Sequence, residues 1–166
     1  MIFVTVGSFR LPFDRLIEVA DTLAGDEPVV VQHGVSRVGA PGCITFDYLT
    51  ADAFEEHVRE ARVVIAHAGV GSAASCLRHG KRPILVPRLR RLGENVDDHQ
   101  TEFARRLERL GLAVVVARID ELAARVRTHR SELSGPLGLS PVLSRELTSF
   151  VAGDDRRRLR RVLRLA

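Results

Sequence analysis

The sequence predicts an α/β protein: an open, mostly parallel sheet covered by helices on both faces. Three observations predict it. Short apolar runs rich in β-branched residues recur over residues 2–6, 29–32, 63–66, 83–86 and 113–116. Stretches with apolar residues at i, i+3, i+4 and i+7 separate them, which is the period of a helix lying on a sheet. Buried strands alternating with amphipathic helices can pair only through crossovers, and that gives a parallel sheet buried on both faces.

Each element has its own warrant. Residues 2–6 form an apolar strand ending at Gly7-Ser8. Pro12 sets the first turn of a helix, with Phe13, Leu16, Ile17, Ala20 and Leu23 on one face. Gly25-Asp26-Glu27-Pro28 breaks it, and Val29-Val30-Val31-Gln32 is the second strand. The loop His33-Gly34-Val35-Ser36 follows, then a turn at Pro41-Gly42 and a short strand over 43–46. A helix from Ala51 turns Phe54, Val58 and Ala61 inward. The strand over 63–66 then runs into a small-residue turn and a helix from Gly71 to His79, closed by Gly80. After the strand over 83–86 comes a long polar loop, 87–97, and a helix from Asp98 to Leu110 with Phe103, Leu107 and Leu110 inward. Gly111 stops that helix. A strand over 113–116 and a helix from Ile119 to Arg130 complete the core. Residues 1–130 thus read as one ligand-binding domain, and 131–166 as a wrap ending in a basic amphipathic helix.

Composition narrows the classes of function. The chain has 166 residues, 45% of them hydrophobic, which suits one globular domain and excludes disorder. No apolar run approaches the about 18 residues of a membrane span, and the N-terminus lacks a signal peptide's basic start, so a cytoplasmic protein is expected. Cys43 and Cys76 lack metal-ligand spacing. The net charge is +4 and Lys81 is the only lysine. Arginine-rich chains bind phosphates or nucleic acid, or reflect codon usage. No nucleic-acid partner is expected, because Tyr48 is the only tyrosine, there is no tryptophan, and no stacking platform accompanies the basic tail. That tail, 154–166, reads either as a solvated helix laid on the core or as a contact for anionic lipid or a partner.

The chemistry-bearing stretches fall at the carboxyl ends of the strands, where such sheets bind ligands. The first is His67-Ala68-Gly69-Val70-Gly71-Ser72. Glycines let a ligand approach the backbone, and the start of a helix offers unpaired N–H groups and partial positive charge to a phosphate. Ser72 caps the helix or donates to a phosphate oxygen. His67 is either a structural hydrogen-bonder or a group on the substrate. The run has neither the lysine of a P-loop nor dinucleotide-binding glycine spacing, which argues against a nicotinamide enzyme. The second stretch is Gly93-Glu94-Asn95-Val96-Asp97-Asp98-His99-Gln100. It reads as a helix start with acidic residues placed for the dipole, as a sugar-recognition run, or, less in keeping with the directions of adjacent residues, as a metal site. Arg88, Arg90 and Arg91 flank it, either balancing a diphosphate or solvated. Gly7 and Ser8 offer backbone donors at the first strand end.

Taken together and in order, these segments resemble a known family. They are the strand and turn over 1–7, Pro12-Phe13-Asp14-Arg15-Leu16-Ile17, Gln32-His33-Gly34, the 67–72 turn, Gly80-Lys81-Arg82-Pro83-Ile84, Val86-Pro87-Arg88 and the 93–100 run. Over roughly residues 1–116 the chain resembles the C-terminal, donor-binding domain of family 28 glycosyltransferases, above all its free-standing versions. Those include the catalytic subunit of the two-part N-acetylglucosaminyltransferase of dolichol-linked oligosaccharide synthesis and subunits of bacterial exopolysaccharide transferases.

The resemblance implies a Rossmann-like half of a GT-B architecture and an inverting transfer from a UDP-sugar that needs no metal or other cofactor. A separate, membrane-anchored partner would hold a lipid-linked acceptor and bring the chain to the membrane's inner face. It implies that Gly69, Val70, Gly71 and Ser72 hold the diphosphate; Gly7, Ser8 and Arg88 are candidate donor contacts by their own positions. Gln32 and Gly34 would lie by the uracil. Asp98, His99 and Gln100 would approach the sugar, with Glu94 beside them. His67 and Glu94 are the candidate catalytic groups, unless the partner supplies the base. Two departures stand out. Relatives carry a ribose-holding glutamate in the helix after the glycine turn, where this chain reads Ala73-Ala74-Ser75-Cys76-Leu77, and many bacterial ones carry a histidine in place of Asn95. The missing carboxylate keeps open a second function: a non-catalytic nucleotide-sugar module that regulates a partner.

Overall fold

A computed structural model describes residues 1–25 and 27–133. Six strands form one parallel sheet: β1 (Ile2–Thr5), β2 (Val29–Gln32), β3 (Ile44–Phe46), β4 (Val63–His67), β5 (Ile84–Val86) and β6 (Val114–Val115). Five α-helices connect or cover them: α1 (Asp14–Thr22), α2 (Ala51–Glu60), α3 (Val70–Arg78), α4 (His99–Arg109) and α5 (Leu122–Thr128). The strand order is β3-β2-β1-β4-β5-β6. The chain winds outward from β1 to one edge, then returns to lay β4 on the other side of β1. The direction of winding reverses between β1 and β4, and that is where the loops splay and leave a crevice.

Side-chain alternation assigns the two faces. Ile2 and Val4 of β1 pack with Leu16, Ile17 and Ala20 of α1 and Leu122 and Val126 of α5. Phe3 points the other way, to Val58 of α2, Val64 of β4 and Cys76 of α3. Further along that second face, Ala66 and Leu85 meet Ala73 of α3 and Phe103, Ala104 and Leu107 of α4. Every residue of β1, β2 and β5 is buried, which is why these strands read as unbroken apolar runs.

Some boundaries differ from the sequence reading. The last helix expected from Ile119 starts as a 3-10 turn (Ile119–Glu121), and only α5 is α-helical. The 87–97 loop holds a 3-10 turn of its own (Arg90–Leu92). Leu110 is 45% exposed rather than inward, because it is the C-cap of α4 and the chain turns away at Gly111, φ +72°. Cys76 is buried and burial pushes its thiol up to about 12, so it is inert, while Cys43 is half-buried. Of the expected wrap, residues 131–133 pair with the segment before β5: the Arg82 N–H donates to the Ser131 carbonyl (2.6 Å) and the Leu133 N–H to the Gly80 carbonyl (3.1 Å). The rest of it, including the basic tail over 154–166, lies outside the described residues.

Candidate functional site

The crevice between β1 and β4 is built on glycines. Gly7 leaves β1 with φ +72°, and its N–H donates to Thr5 Oγ1 (3.1 Å). The chain leaves β4 through a tight turn in which the Gly69 N–H donates to the His67 carbonyl (2.8 Å). Between these turns lies the His67 imidazole. A Cβ on Gly7 would stand 2.3 Å from His67 Cε1, and a Cβ on Gly69 2.2 Å from His67 Nε2. Both positions therefore need glycine because the ring fills the space. Burial, with the Arg88 charge, pushes His67 down to about 4. The ring is thus neutral near pH 7. A base that weak has little driving force to take a hydroxyl proton, so the geometry favours His67 as a neutral hydrogen-bonding group.

Gly69 is the N-cap of α3, in extended conformation and without a side-chain cap. The first α3 amide with a backbone acceptor is that of Ala73, donating to the Gly69 carbonyl (3.1 Å). Among the described residues, no acceptor faces the N–H groups of Val70, Gly71 and Ser72. Gly71 is exposed, and nothing stands within 4 Å of where its Cβ would be. Ser72 is buried in the first turn rather than capping it. Three unpaired amides at the positive end of a nine-residue helix make a place for an anion. Ser8 is exposed on the opposite rim.

The nucleotide-base side departs in part from expectation. Gln32 is buried, and its Oε1 accepts from Thr5 Oγ1 (3.1 Å), so its oxygen ties β2 to β1. Gly34, with φ +56°, packs against the Gly7 carbonyl. The exposed part of that loop is Val35.

Across the crevice the 87–100 loop is organised by buried ions. Arg88 is completely buried. Its Nη1 donates to the carbonyls of Leu11 (2.8 Å), Pro12 (3.0 Å) and Glu94 (3.2 Å), and its Nη2 to that of Val6 (3.0 Å). Arg88 and Arg15 both stack on the Phe13 ring, at 4.7 and 4.9 Å from its centroid. Burial lowers Arg88 to about 10, which leaves it charged at neutral pH. The expected contact of Arg88 with a diphosphate is therefore corrected: Nη1 and Nη2 are engaged with main-chain oxygens, and Nε is buried without a partner among the described residues. Glu94 is corrected too. Its carboxylate accepts from Arg15 Nε (2.5 Å), Arg15 Nη2 (3.0 Å) and the Leu89 N–H (2.9 Å), so it is a bound counter-ion and not an open base.

At the start of α4, Asp97 rather than Asp98 serves the helix end. Its Oδ1 accepts from the His99 N–H and from Asn95 Nδ2, both at 3.2 Å, and its Oδ2 lies 3.0 Å from His99 Nδ1. Asp98 is exposed. Among the described residues no three His, Cys, Asp or Glu side chains are grouped to hold a metal ion. Gln100 Oε1 accepts from the Arg88 N–H (3.1 Å). Sequence reasoning missed Arg15. The signal was present: a cation in the first turn of a helix opposes the dipole and needs a carboxylate elsewhere.

A parallel sheet wound 3-2-1-4-5-6, with free helix-start amides at its switch point, defines an α/β domain of Rossmann-like type. The glycosyltransferase family 28 C-terminal domain matches residues 1–136, and the chain belongs to that family. It is 31% identical over 126 residues to the "UDP-N-acetylglucosamine transferase subunit ALG13" of Yarrowia lipolytica, covering 66% of this chain and 61% of that protein. It is 35% identical over 124 residues to the mouse protein of the same name, covering 66% of this chain and 10% of that one. The matched segment thus spans less than two thirds of these relatives. Among solved structures, the NMR structure of ALG13 shares the fold (TM-score 0.59, 20% identity, 88% of this chain and 94% of that one). So does Acinetobacter baumannii MurG (TM-score 0.55, 22% identity, 76% of this chain and 40% of that one). The fold is Rossmann-like, as expected. Among the described residues no helix is long and apolar enough to cross a membrane.

Proposed function

We propose that this chain is the donor-binding, catalytic subunit of an inverting UDP-sugar transferase, with UDP-N-acetylglucosamine as the donor to try first. The observation that carries this reading is the row of acceptor-less amides at Val70, Gly71 and Ser72 on the switch-point crevice. In the reaction the acceptor oxygen attacks the anomeric carbon, the bond from that carbon to the diphosphate breaks, and negative charge grows on the leaving UDP. Fixed N–H donors and the start of α3 stabilise that charge without reorganising. The neutral His67 ring donates or accepts a hydrogen bond at the crevice floor. The base that takes the acceptor proton comes from the acceptor side, where a partner chain, membrane-anchored and holding a lipid-linked acceptor, completes the cleft. Family membership and the ALG13 likeness support this reading.

Calorimetry with UDP and UDP-N-acetylglucosamine on the wild type and on Gly71→Asp tests it. The wild type binds both, and the variant, which keeps its fold because its side chain meets open space, binds both about 100-fold more weakly. No binding by wild type, or equal binding by both proteins, contradicts it. The second reading, a regulatory nucleotide-sugar module, is favoured by the absence of a carboxylate at residues 73–77. Sustained sugar transfer on co-expression with the partner excludes it.

A further inference from the structure

The Arg88 N–H gives Gln100 a direction. An N–H only donates, so the Gln100 amide must turn its oxygen inward to meet it, at 3.1 Å. Its NH2 group then faces the other way, and among the described residues it has no partner and is not a buried orphan. Gln100 is thereby fixed as a hydrogen-bond donor. That orientation holds only while residue 88 stays where it is. It is held by its own guanidinium on the carbonyls of Val6, Leu11 and Pro12, which belong to the end of β1 and the loop to α1. From the other side, Arg15 on α1 grips both the Glu94 carboxylate and the Pro87 carbonyl (2.8 Å). Two loops from opposite sides of the switch point are thus joined by buried charge-assisted bonds, and the joint ends on one outward-facing amide.

We propose that Arg15, Glu94 and Arg88 are positioning residues for the sugar half of the donor pocket, acting by locking the β5–α4 loop to the β1–α1 loop and holding Gln100 as a donor toward an oxygen of the bound hexose. This rests on the donor reading above and deepens it. The amides of residues 70–72 make no bond to these groups, so nucleotide binding and sugar binding are separable.

The test is calorimetry on the whole chain with two probes, UDP and UDP-N-acetylglucosamine, for wild type, Glu94→Gln and Gln100→Glu, each checked by its amide NMR spectrum. Glu94→Gln loosens the joint. Gln100→Glu still accepts from the Arg88 N–H but presents an oxygen where an NH2 stood. For each, UDP affinity stays within about twofold while UDP-N-acetylglucosamine affinity falls about tenfold, the loss of one well-placed hydrogen bond. Should Glu94→Gln fail to fold, Arg15→Lys, which keeps the charge and loses the paired contact with Glu94, takes its place with the same expected split. Equal losses for both probes, or no loss for either in a folded variant, overturn the assignment. A wild type that binds neither probe overturns the donor reading itself, and this assignment with it.

Discussion

The two loops that face each other across the switch point are built on opposite principles. The β4–α3 turn is short, glycine-based and without charged side chains, and it leaves backbone amides unused. The β5–α4 loop is long and carries Arg88 and Glu94 buried, each bonded to groups inside the protein. The first has open hydrogen-bonding capacity and few internal ties. The second has many internal ties, and what it leaves open is side chains: the exposed Arg90, Arg91 and Asp98, and the Gln100 NH2. A ligand's anion belongs on the first, because a buried arginine already satisfied by carbonyls gains little from a phosphate that would have to displace them. Charge in the sequence is therefore a poor guide to where the proposed diphosphate would bind, and unpaired backbone is a better one.

This contrast breaks if the wrong loop controls the wrong property. The largest effect is expected from Arg88→Met, which leaves four carbonyls, two of them fully buried, without their donor and Glu94 short of a positive neighbour. Unfolding free energy should drop by about 3 kcal/mol or more in a urea titration. A loss under about 1 kcal/mol would mean that the loop stands without its ion. Gly71→Asp should do the reverse. UDP affinity falls by about 100-fold through like-charge repulsion, while the urea midpoint barely moves. Within the turn itself, Gly69→Ala should cost about 2 kcal/mol, since its Cβ lies 2.2 Å from the His67 ring. Gly71→Ala, with open space and a helical position, should be neutral or stabilising by some tenths of a kcal/mol.

The smallest effect sharpens the role of His67. Its pKa is near 4 when folded and 6.5 when not. Between those values the unfolded chain binds the extra proton, so stability is fully present above about pH 6.5 and drains as pH falls toward about 4. Thermal melts from pH 7 to pH 4 should show a shallower decline for His67→Gln than for wild type. Equal slopes would mean that the ring is not held neutral.

The same contrast explains what the sequence reveals and what it hides. The parallel sheet, its helices and the crevice are legible because burial on both faces leaves unbroken apolar strands and i, i+3, i+4 stripes. The 67–72 turn is legible because backbone binding requires small residues in consecutive positions. The roles of Arg88 and Glu94 are not legible. Arg88 meets Leu11 and Val6, which lie 77 and 82 residues away, and Arg15 meets Glu94 79 residues on. An exposed phosphate ligand and a buried carbonyl clamp call for the same residue type. Gln32 is hidden in the same way, since its partner Thr5 is 27 residues distant. Leu110 follows the helical stripe but falls outside because the helix ends at that residue.

The central claim is that the start of α3 holds the diphosphate of a nucleotide sugar. The most direct measurement is titration of the labelled chain with UDP, followed by the backbone amide resonances. The account predicts the largest shifts at Val70, Gly71 and Ser72, with smaller ones along the β1–α1 turn. Binding without movement of those three amides, or shifts centred on the 90–92 turn instead, would contradict it.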